Sequence, residues 1–376
     1  METKGLRTWI EIDTKAIENN YRAFRSIISK NTKLMAIVKS NAYGHGLLDF
    51  SRTISDLGAD WLGVDSITEA LKLRKNGVVT PILVLGYVLP ELIPVAIKNN
   101  ISITVSNFET LKIIKNSTGS EQLKVHIKVD TGMHRQGFLL SEQKKLMPKI
   151  KDLKGKIFVE GLYTHFAAAK NPNFPDHTMK QIEEFKKWKE ILKKAGFNPI
   201  SHAAATSGTI VYPESHFDMV RVGISLHGLW PSQDVKKFAE KKMKIFPTFT
   251  WKVVISEIKK LPKGSRVGYD LTEELKRNSR IALCPIGYWH GYPRSMSGKG
   301  FVIVGGKKVK VLGRISMGMT VIDITDVPKA RVGDEVILIG SSGKERISVE
   351  DFANQAGTIN YEVVTRINPL IKKFYK

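Results

Sequence analysis

The sequence Leu34-Met35-Ala36-Ile37-Val38-Lys39-Ser40-Asn41-Ala42-Tyr43-Gly44-His45-Gly46 ends a short apolar run on a lysine. The run is long enough only for a buried strand, and the residues after Lys39 are typical of a turn. A lysine at the mouth of a buried strand lies partly out of water, which lowers the cost of its neutral amine form. Such an amine can attack a carbonyl and form a Schiff base. The alternative is an ordinary strand-end lysine whose charged head reaches solvent.

Further apolar runs follow along the chain and alternate with helical patterns. The candidate strands are Leu34–Val38, Trp61–Val64, Pro81–Gly86, Ile101–Val105, Leu123–Val129, Ile157–Thr164, Ile200–Thr206 and Met219–Val222. Eight strands that alternate with helices over this length predict a (β/α)8 barrel. Their continuous apolar character is typical of parallel strands that are buried on both faces.

Beyond about Lys244 the pattern changes to short alternating strands. Ile303–Val309 is typical of a hairpin, Gly333–Gly340 predicts another strand, and Ser348–Ala356 predicts a short helix that begins at Ser348. We therefore predict an α/β fold with an N-terminal (β/α)8 TIM-like barrel over residues 1–243. A mainly β C-terminal domain is predicted over residues 244–376.

The composition is that of a folded soluble protein, with 42% apolar and 25% charged residues among 376. The single cysteine, Cys284, excludes an internal disulfide framework and favours a reducing compartment. The N-terminal residues show no secretory leader, and the most apolar stretch, Val78–Ile97, contains three prolines and Glu91. We therefore expect a cytoplasmic protein that has no membrane partner.

The formal net charge of +23 would suit a nucleic-acid-binding protein. However, the lysines cluster in helical stretches where apolar positions are interleaved with them, and no zinc-finger or RNA-binding signature accompanies them. The charge is therefore interpreted as solvated helix faces, and no nucleic-acid partner is expected.

The carboxyl ends of the predicted strands carry a set of polar residues, and barrel enzymes build their sites at these ends. The set is Lys39, Lys128 with Asp130 and Arg135, His165, Thr206 and Arg221. These residue types are the ones that a phosphate-bearing, electron-withdrawing cofactor needs. Each has an alternative explanation: a core histidine for His165, an ion pair with Asp218 or Glu214 for Arg221, an ion pair between Lys128 and Asp130, and packing for Thr206.

Motifs in both predicted domains resemble those of one enzyme family. They are Trp9-x-Glu11-Ile12-Asp13, the Lys39 stretch, Lys128-Val-Asp130-Thr-Gly-Met133-x-Arg135, Tyr163-Thr-His165-Phe-Ala, Val220-Arg221-x-Gly223-Ile224, Val267-Gly-Tyr269, Pro285-Ile-Gly-Tyr288, Gly313-Arg314-x-Ser-Met317, Gly333-Asp334-Glu335-Val336 and Asn360-Tyr361-Glu362. In this order they resemble the alanine racemases, which are pyridoxal-phosphate enzymes of fold type III. The resemblance implies an isomerase that supplies D-alanine for peptidoglycan, and hence a bacterial source.

The resemblance also implies which residues hold pyridoxal 5′-phosphate. Lys39 would carry the cofactor as a Schiff base, and Arg135 would bind its phenolic oxygen. The phosphate would lie among a further set, namely Tyr43, Thr206, Gly223, Ile224 and Tyr361. Arg221 would face the pyridine nitrogen, and because arginine stays charged, that nitrogen would remain unprotonated. Reprotonation at the α-carbon would then be favoured over transamination.

Racemisation requires two acid/base groups, one on each face of the α-carbon. The resemblance assigns these roles to Lys39 on the D-side and Tyr269 on the L-side, with a hydrogen-bond chain from Tyr269 through His165 to Arg221. Tyr269 and Met317 would come from the partner subunit of a homodimer. Arg135, Met317 and Tyr288 would bind the amino-acid substrate, and Lys128 matches a family lysine that is often carbamylated. No metal is expected.

The chain departs from the family pattern at several positions. Gly318 stands where aspartate is usual, Ala205 where asparagine is usual and His227 where tyrosine is common, and Trp289-His290 replaces Ala-Asp. The missing charge at Gly318 suggests the hypothesis that larger substrates such as serine are accepted. Further alternatives are a pyridoxal-phosphate amino-acid decarboxylase, a non-catalytic carrier of the cofactor and a nucleic-acid-binding protein.

Overall fold

The computed structural model of the protein describes residues 4–116 and 121–376 and divides into two compact units. The first three residues of the N-terminal stretch inspected for a leader lie outside these ranges. The barrel unit comprises Lys15–Ala42 and Leu47–Phe246. The β unit comprises the described residues up to Thr14 together with Tyr43–Gly46 and Pro247–Lys376.

Eight parallel strands form the core of the barrel unit. In chain order, the first to eighth barrel strands are Lys33–Ile37, Trp61–Val64, Ile82–Val84, Ser102–Val105, Leu123–Lys128, Ile157–Tyr163, Ile200–His202 and Met219–Val222. From the first to the seventh, each strand pairs in parallel with the next, and the first also pairs with the eighth. A single bridge between Ala205 and Arg221 nearly closes the ring. The predicted (β/α)8 barrel is confirmed, and every predicted strand position contains a strand.

Amphipathic helices cover this barrel because each has one apolar face that needs burial. The helix Thr14–Ser26 buries Ile17, Tyr21 and Phe24, which the sequence places on one face. The other helices are Leu47–Asp56, Ile67–Lys75, Ile93–Lys98, Phe108–Asn116, Gln143–Asp152, Asp176–Lys194, Thr206–Val211 and Gln233–Ala239, with a left-handed turn at Lys39–Tyr43 and short 3₁₀ turns at Pro90–Leu92, Leu140–Glu142 and Pro213–Ser215. Among the described residues, no helix is both long and apolar enough to cross a membrane.

The β unit is built on a mostly antiparallel sheet, which confirms the predicted mainly β domain. Its strands in spatial order are Glu257–Leu261, Ser279–Cys284, Thr320–Asp323, Lys307–Leu312, Phe301–Val304, Glu335–Ser342, Phe249–Val254, Thr8–Ile12 and Lys373–Tyr375, with Glu345–Ile347 paired to Glu335–Ser342 and a separate ribbon of Arg266–Val267 and Glu273–Glu274. The predicted hairpin turns at Gly305-Gly306, whose φ values of 55° and 76° suit a type I′ turn.

Two helices, Val349–Ala356 and Asn360–Arg366, and the 3₁₀ turns Tyr269–Leu271, Tyr288–His290 and Arg294–Met296 complete this unit. The first helix begins as predicted, because the Ser348 hydroxyl accepts the N–H of Asp351 and the Asp351 carboxylate accepts the N–H of Ser348. The strand Thr8–Ile12 joins this unit by pairing antiparallel with Phe249–Val254 and parallel with Lys373–Tyr375.

Candidate active site

Lys39 begins an unusual turn after the first barrel strand. The residues Ser40 to Tyr43 have φ values of 56°, 57°, 50° and 50°, a left-handed conformation that costs roughly 1–2 kcal/mol for each non-glycine residue. The Lys39 side chain is 39% exposed, and its Nζ lies 3.2 Å from Oδ1 of Asp65. Strained backbone of this kind persists only where the surroundings hold it, and it is concentrated at functional sites.

Glu69 holds this turn. Its Oε1 accepts the N–H of Asn41 at 3.0 Å, and its Oε2 accepts the N–H of Asp65 at 3.0 Å. The Asn41 side chain in turn accepts the N–H of Leu47 at 2.9 Å. One carboxylate therefore fixes both the turn that carries Lys39 and the residue that contacts its amine.

Lys128 lies at the end of the fifth barrel strand, in a cleft that Arg135, Gln136 and His165 also line. Its Nζ donates to Oε1 of Gln136 at 2.9 Å. Burial, together with the nearby charges of Arg135 and Arg221, lowers the pKa of Lys128 to about 8. A fraction of this amine is therefore neutral near neutral pH, the form that reacts with electrophiles.

The ion pair between Lys128 and Asp130, the alternative suggested by their alternation on one strand, is not formed between these two described side chains. Asp130 Oδ1 instead accepts the N–H groups of Gly132, Met133 and His134 at 2.9, 3.0 and 3.0 Å. These backbone hydrogen bonds lower the pKa of the Asp130 carboxyl against the opposing effect of burial. Asp130 therefore shapes the loop that leads to Arg135.

Arg221 is buried in the eighth barrel strand and directs its Nη groups at protein acceptors. Nη1 donates to the carbonyl oxygen and to Nδ1 of His202, both at 2.9 Å. Nη2 donates to the carbonyl oxygens of Thr164 and Ala203 at 2.7 and 2.9 Å. The Nε–H group donates to no residue in the described part of the chain. Burial lowers the pKa of Arg221 to about 10, so the side chain remains charged at neutral pH.

The alternative ion pairs of Arg221 with Asp218 or Glu214 are not formed among the residues that the structure describes. Asp218 instead accepts the N–H of Ser201 through Oδ2 at 2.8 Å, at the other end of the strand. Arg221 is therefore a buried cation that is solvated by carbonyl oxygens and an imidazole.

His165 lies beside Arg221, and its Nδ1 is 3.3 Å from Nη2 of Arg221. Burial lowers the pKa of His165 to about 3, helped by the positive charges of Arg221, Arg135, Lys128 and Lys39. The imidazole is therefore neutral at neutral pH. Because a guanidinium can only donate, Nδ1 accepts and the ring proton lies on Nε2.

Thr206 and Gly223 lie at the ends of the seventh and eighth strands. The N–H of Gly223 donates to Oγ1 of Thr206 at 3.0 Å, and the next N–H, that of Ile224, donates to no residue in the described ranges. Thr206 is buried beside this backbone. A hydroxyl and an unused backbone N–H therefore adjoin each other at the mouth of the barrel.

The β unit carries the other predicted residues. Tyr43 and Tyr361 approach each other, with ring centroids 6.3 Å apart, and burial raises the pKa of both phenols. By contrast, Tyr269, Met317 and Tyr288 are 70%, 60% and 44% exposed in this single chain. These last three side chains therefore reach solvent in a single chain, whereas Thr206 and Arg221 are buried.

Tyr269 stands on a tightly built turn. The following residues, Asp270 and Leu271, have φ values of 58° and 50°, and the Asp270 carboxylate lies 2.9 Å from Nε of Arg314. A Cβ at Gly313 would lie 2.6 Å from the Val267 carbonyl oxygen, so only glycine allows this approach. The Arg314 ion pair therefore joins the turn that carries Tyr269 to the loop that leads to Met317.

The structure brings together most of the barrel residues that the sequence selects at strand ends. It also adds partners that sequence reasoning missed, namely Asp65, Glu69, Gln136 and His202. Asp65 directly follows the predicted strand Trp61–Val64 and would be found if every polar strand-end residue were taken, whereas His202 lies within the predicted strand Ile200–Thr206. Glu69 and Gln136 carry no such signal. Among the described residues, no group of three or more His, Cys, Asp or Glu could hold a metal ion.

Comparison with known proteins gives a consistent result. The family model for the alanine racemase N-terminal domain matches residues 12–231, and that for the C-terminal domain matches residues 248–375. An alanine racemase of Methanococcus maripaludis is 41% identical, over 98% of this chain and 98% of its own length. One of Halothermothrix orenii is 38% identical, with coverage of 98% and 97%.

Solved structures agree with the sequence comparison. The structure of alanine racemase from Bacillus anthracis with bound L-Ala-P has a TM-score of 0.92 and 35% identity, covering 98% of this chain and 95% of that chain. An alanine racemase structure from Clostridium difficile 630 has a TM-score of 0.92 and 32% identity, with coverage of 99% and 96%.

Proposed function

The chain belongs to the alanine racemase family, and we propose how its own residues interconvert L- and D-alanine. The family is pyridoxal-phosphate-dependent, and the enzyme is an isomerase. The observation that carries the proposal is the convergence of cations on His165: Nη2 of Arg221 lies 3.3 Å from its Nδ1, and Arg135 lines the same cleft. Burial and the charges of these two residues and of Lys39 lower the pKa of His165.

The residues present fit pyridoxal 5′-phosphate. Arg221 retains one unused donor, Nε–H, which suits an unprotonated pyridine nitrogen, and the positive site suits an anionic cofactor. The Thr206 hydroxyl, whose oxygen accepts the N–H of Gly223, and the N–H of Ile224 offer phosphate ligands, and we assign Tyr43 and Tyr361 to the same group. Lys39 supplies the amine. When bound, the cofactor withdraws electrons from the amino-acid α-carbon and so makes its proton acidic.

Lys39 and Tyr269 are the proposed acid/base pair. Lys39 removes or delivers the α-proton on the D-side through Nζ, and Asp65, at 3.2 Å, keeps that amine in place. Tyr269 acts on the L-side through its hydroxyl. A free phenol has a pKa of about 10. To act near neutrality it needs hydrogen-bond donors that stabilise its phenolate form.

His165 and Arg221 supply that network in the proposal. Because Arg221 donates to Nδ1 of His165, the Nε2–H of the neutral ring is the group that can donate to the phenolate of Tyr269. The Arg221 charge next to the ring strengthens this donor. Both residues therefore lower the cost of holding negative charge on Tyr269.

A homodimer completes the proposed site. Tyr269, Met317 and Tyr288 are exposed on a single chain, and in the proposal a second copy of the chain receives Tyr269 and Met317. Met317 offers its backbone N–H to the substrate carboxylate, and Arg135 and Tyr288 also contact the substrate. We still propose a domain boundary between residues 243 and 244, which separates the barrel from the C-terminal β domain that would complete the partner's site.

Three further predictions belong to this proposal. Carbamylation of Lys128 is supported by its pKa of about 8, because the neutral amine reacts with carbon dioxide and the resulting anion would face Arg135. Acceptance of serine is supported by Gly318, since the structure leaves open space where a side chain would begin. A cytoplasmic location stays a prediction from the sequence.

The test is exchange of the α-proton for deuterium in L- and D-alanine, using purified protein with added cofactor. We expect exchange with inversion from both enantiomers. Lys39→Ala should abolish both, whereas Tyr269→Phe should impair exchange from the L-side selectively. Lys33→Ala, an exposed lysine at the start of the same strand, is the matched control and should leave both rates unchanged.

Two outcomes would contradict the proposal. Exchange without inversion in the unmodified protein would refute the role of Tyr269. No exchange of either enantiomer, with the absorbance of the Lys39-bound cofactor present, would refute alanine as the substrate.

A further inference from the structure

A line of polar side chains begins at Arg221 and leads into the barrel interior through residues that the proposed function does not use. Nη1 of Arg221 lies 2.9 Å from Nδ1 of His202. Nε2 of His202 lies 2.9 Å from Nδ1 of His126. Nε2 of His126 is 3.5 Å from Oε2 of Glu160, a longer contact, and the Ser102 hydroxyl also donates to Oε2.

The direction of every proton in this line follows from its first member. A guanidinium has no acceptor, so Nδ1 of His202 must be the unprotonated nitrogen. Neutral His202 then carries its proton on Nε2 and donates it to Nδ1 of His126. His126 in turn carries its proton on Nε2, directed at the Glu160 carboxylate, which can only accept.

Both imidazoles are neutral, as this order requires. Burial lowers the pKa of His126, and it lowers the pKa of His202 well below its usual value, with the charge of Arg221 acting in the same direction. The adjacent His126 ring and the hydrogen bond from Ser102 lower the pKa of the Glu160 carboxyl against the effect of burial. A cation and an anion therefore stand at opposite ends, separated by two neutral rings.

Packing prevents the rings from turning over. The ring of Tyr163 stacks on His202 with centroids 4.8 Å apart and planes 4° from parallel. Trp61 meets His126 edge-on at 5.1 Å. A Cβ at Gly161 would lie 2.0 Å from Nδ1 of His126, so a glycine is needed for the ring to occupy this position.

We propose that Glu160 is the anionic anchor of a proton-ordered line that holds Arg221 in place through His126 and His202. The three are positioning residues, because none touches the reacting atoms. By holding Nη1 in one orientation they keep the Nε–H of Arg221 available for the pyridine nitrogen. This inference rests on the proposed function for its catalytic consequence, whereas the proton order itself does not depend on activity.

The proton order is tested by nitrogen NMR of the holoenzyme labelled with ¹⁵N-histidine. His126 and His202 should both give the shifts of neutral rings protonated at Nε2. Their signals are assigned by loss in His126→Gln and His202→Gln. A ring protonated at Nδ1, or a charged ring, at either position overturns the proposal, and this result is independent of whether alanine is turned over.

The positioning role is tested with Glu160→Leu, which removes the acceptor but keeps the volume. The His126 and His202 signals should shift. The partition ratio is the number of racemisation turnovers for each side reaction in which alanine is released as pyruvate and the cofactor is converted to its amine. This ratio should fall about fivefold, the factor that corresponds to one ordinary hydrogen bond. Glu160→Gln keeps an acceptor oxygen and should restore much of this ratio.

Thr104→Val is the matched control. The Thr104 hydroxyl is buried in the same barrel and bonds to Val84 and Tyr163, but it lies outside the line. It should leave both rings neutral and protonated at Nε2, and it should not change the partition ratio. If Glu160→Leu does not fold, Ser102→Ala replaces it and should shift the His126 signal in the same direction. Wild-type signals and a wild-type ratio in a folded variant would overturn the proposal.

Discussion

Replacement of Glu69 tests whether the left-handed turn after Lys39 is held from outside. Glu69 accepts two backbone N–H groups at 3.0 Å, those of Asn41 and Asp65. Hydrogen bonds to a charged group contribute about 1.5–3 kcal/mol each. Since the side chain is half-buried, the lower value applies, and Glu69→Ala should lower the free energy of unfolding by about 3 kcal/mol.

A functional effect should accompany the loss of stability. Four consecutive left-handed residues store roughly 4–8 kcal/mol of conformational energy, so losing the hydrogen bonds of Glu69 allows the turn to relax and Lys39 to move. The affinity for pyridoxal 5′-phosphate, measured by absorbance titration, should therefore fall by tenfold or more, since about 1.4 kcal/mol corresponds to a factor of ten. Denaturant unfolding gives the stability term separately.

Two further variants distinguish the hydrogen bonds of Glu69 from its contribution to the helix Ile67–Lys75. Glu69→Asp keeps a negative charge in the first turn of Ile67–Lys75, where the helix dipole favours it, but is too short to reach both N–H groups. It should behave like Glu69→Ala. Lys72→Gln, on an exposed position of the same helix, should match the wild type. If Glu69→Ala unfolds at wild-type denaturant concentrations and binds the cofactor normally, the reasoning about the turn is wrong.

Three other predictions follow from the structure. The pKa values of His165 and His202 are far below that of a histidine in the unfolded chain, so the unfolded state binds more protons than the folded state below about pH 6.5. As the pH is lowered through this range, the free energy of unfolding should fall by up to about 1.4 kcal/mol per pH unit for each ring. Denaturant titrations at several pH values check this, and His165→Gln should reduce the slope by one proton. Asp270→Asn removes the ion pair with Arg314 but keeps a residue that tolerates positive φ, so stability should change by less than about 1 kcal/mol while kcat/KM for both enantiomers falls equally. Gly318→Asp should raise the ratio of kcat/KM for alanine over serine by about twofold to fivefold, as a single exposed charge is worth up to about 1 kcal/mol.

The sequence allows the barrel to be predicted because its strands are continuous apolar runs, a signal carried within each segment. The hairpin at Gly305-Gly306 and the helix start at Ser348 are equally local, since one depends on residues that adopt positive φ and the other on a side chain that caps its own helix. Strand ends also locate Lys39 and Arg221, because the fold directs site residues to one end of the barrel.

The remaining features depend on partners that are distant in sequence. Four left-handed residues without glycine contradict local propensity, and the carboxylate that holds the turn through Asn41 belongs to Glu69, on another helix. His126 and His202 are 76 residues apart. They meet because their side chains point into the barrel from the fifth and seventh strands. The strand Thr8–Ile12 joins the β unit through Lys373–Tyr375, and no pattern within either segment announces that pairing.

The surroundings of Arg221 explain why a donor, and not an acceptor, stands at this position. The carbonyl oxygens of Thr164, His202 and Ala203 all point at it from neighbouring strand ends, at 2.7 to 2.9 Å. A carboxylate placed among them would meet three acceptors and no donor, and would be repelled. The alternative decarboxylase would have an acidic residue at the pyridine nitrogen. Such a site therefore needs a different arrangement of these strand ends. Lysine would supply charge but only one nitrogen, whereas the planar guanidinium satisfies the carbonyls with two nitrogens and still leaves Nε–H for the proposed contact with the cofactor.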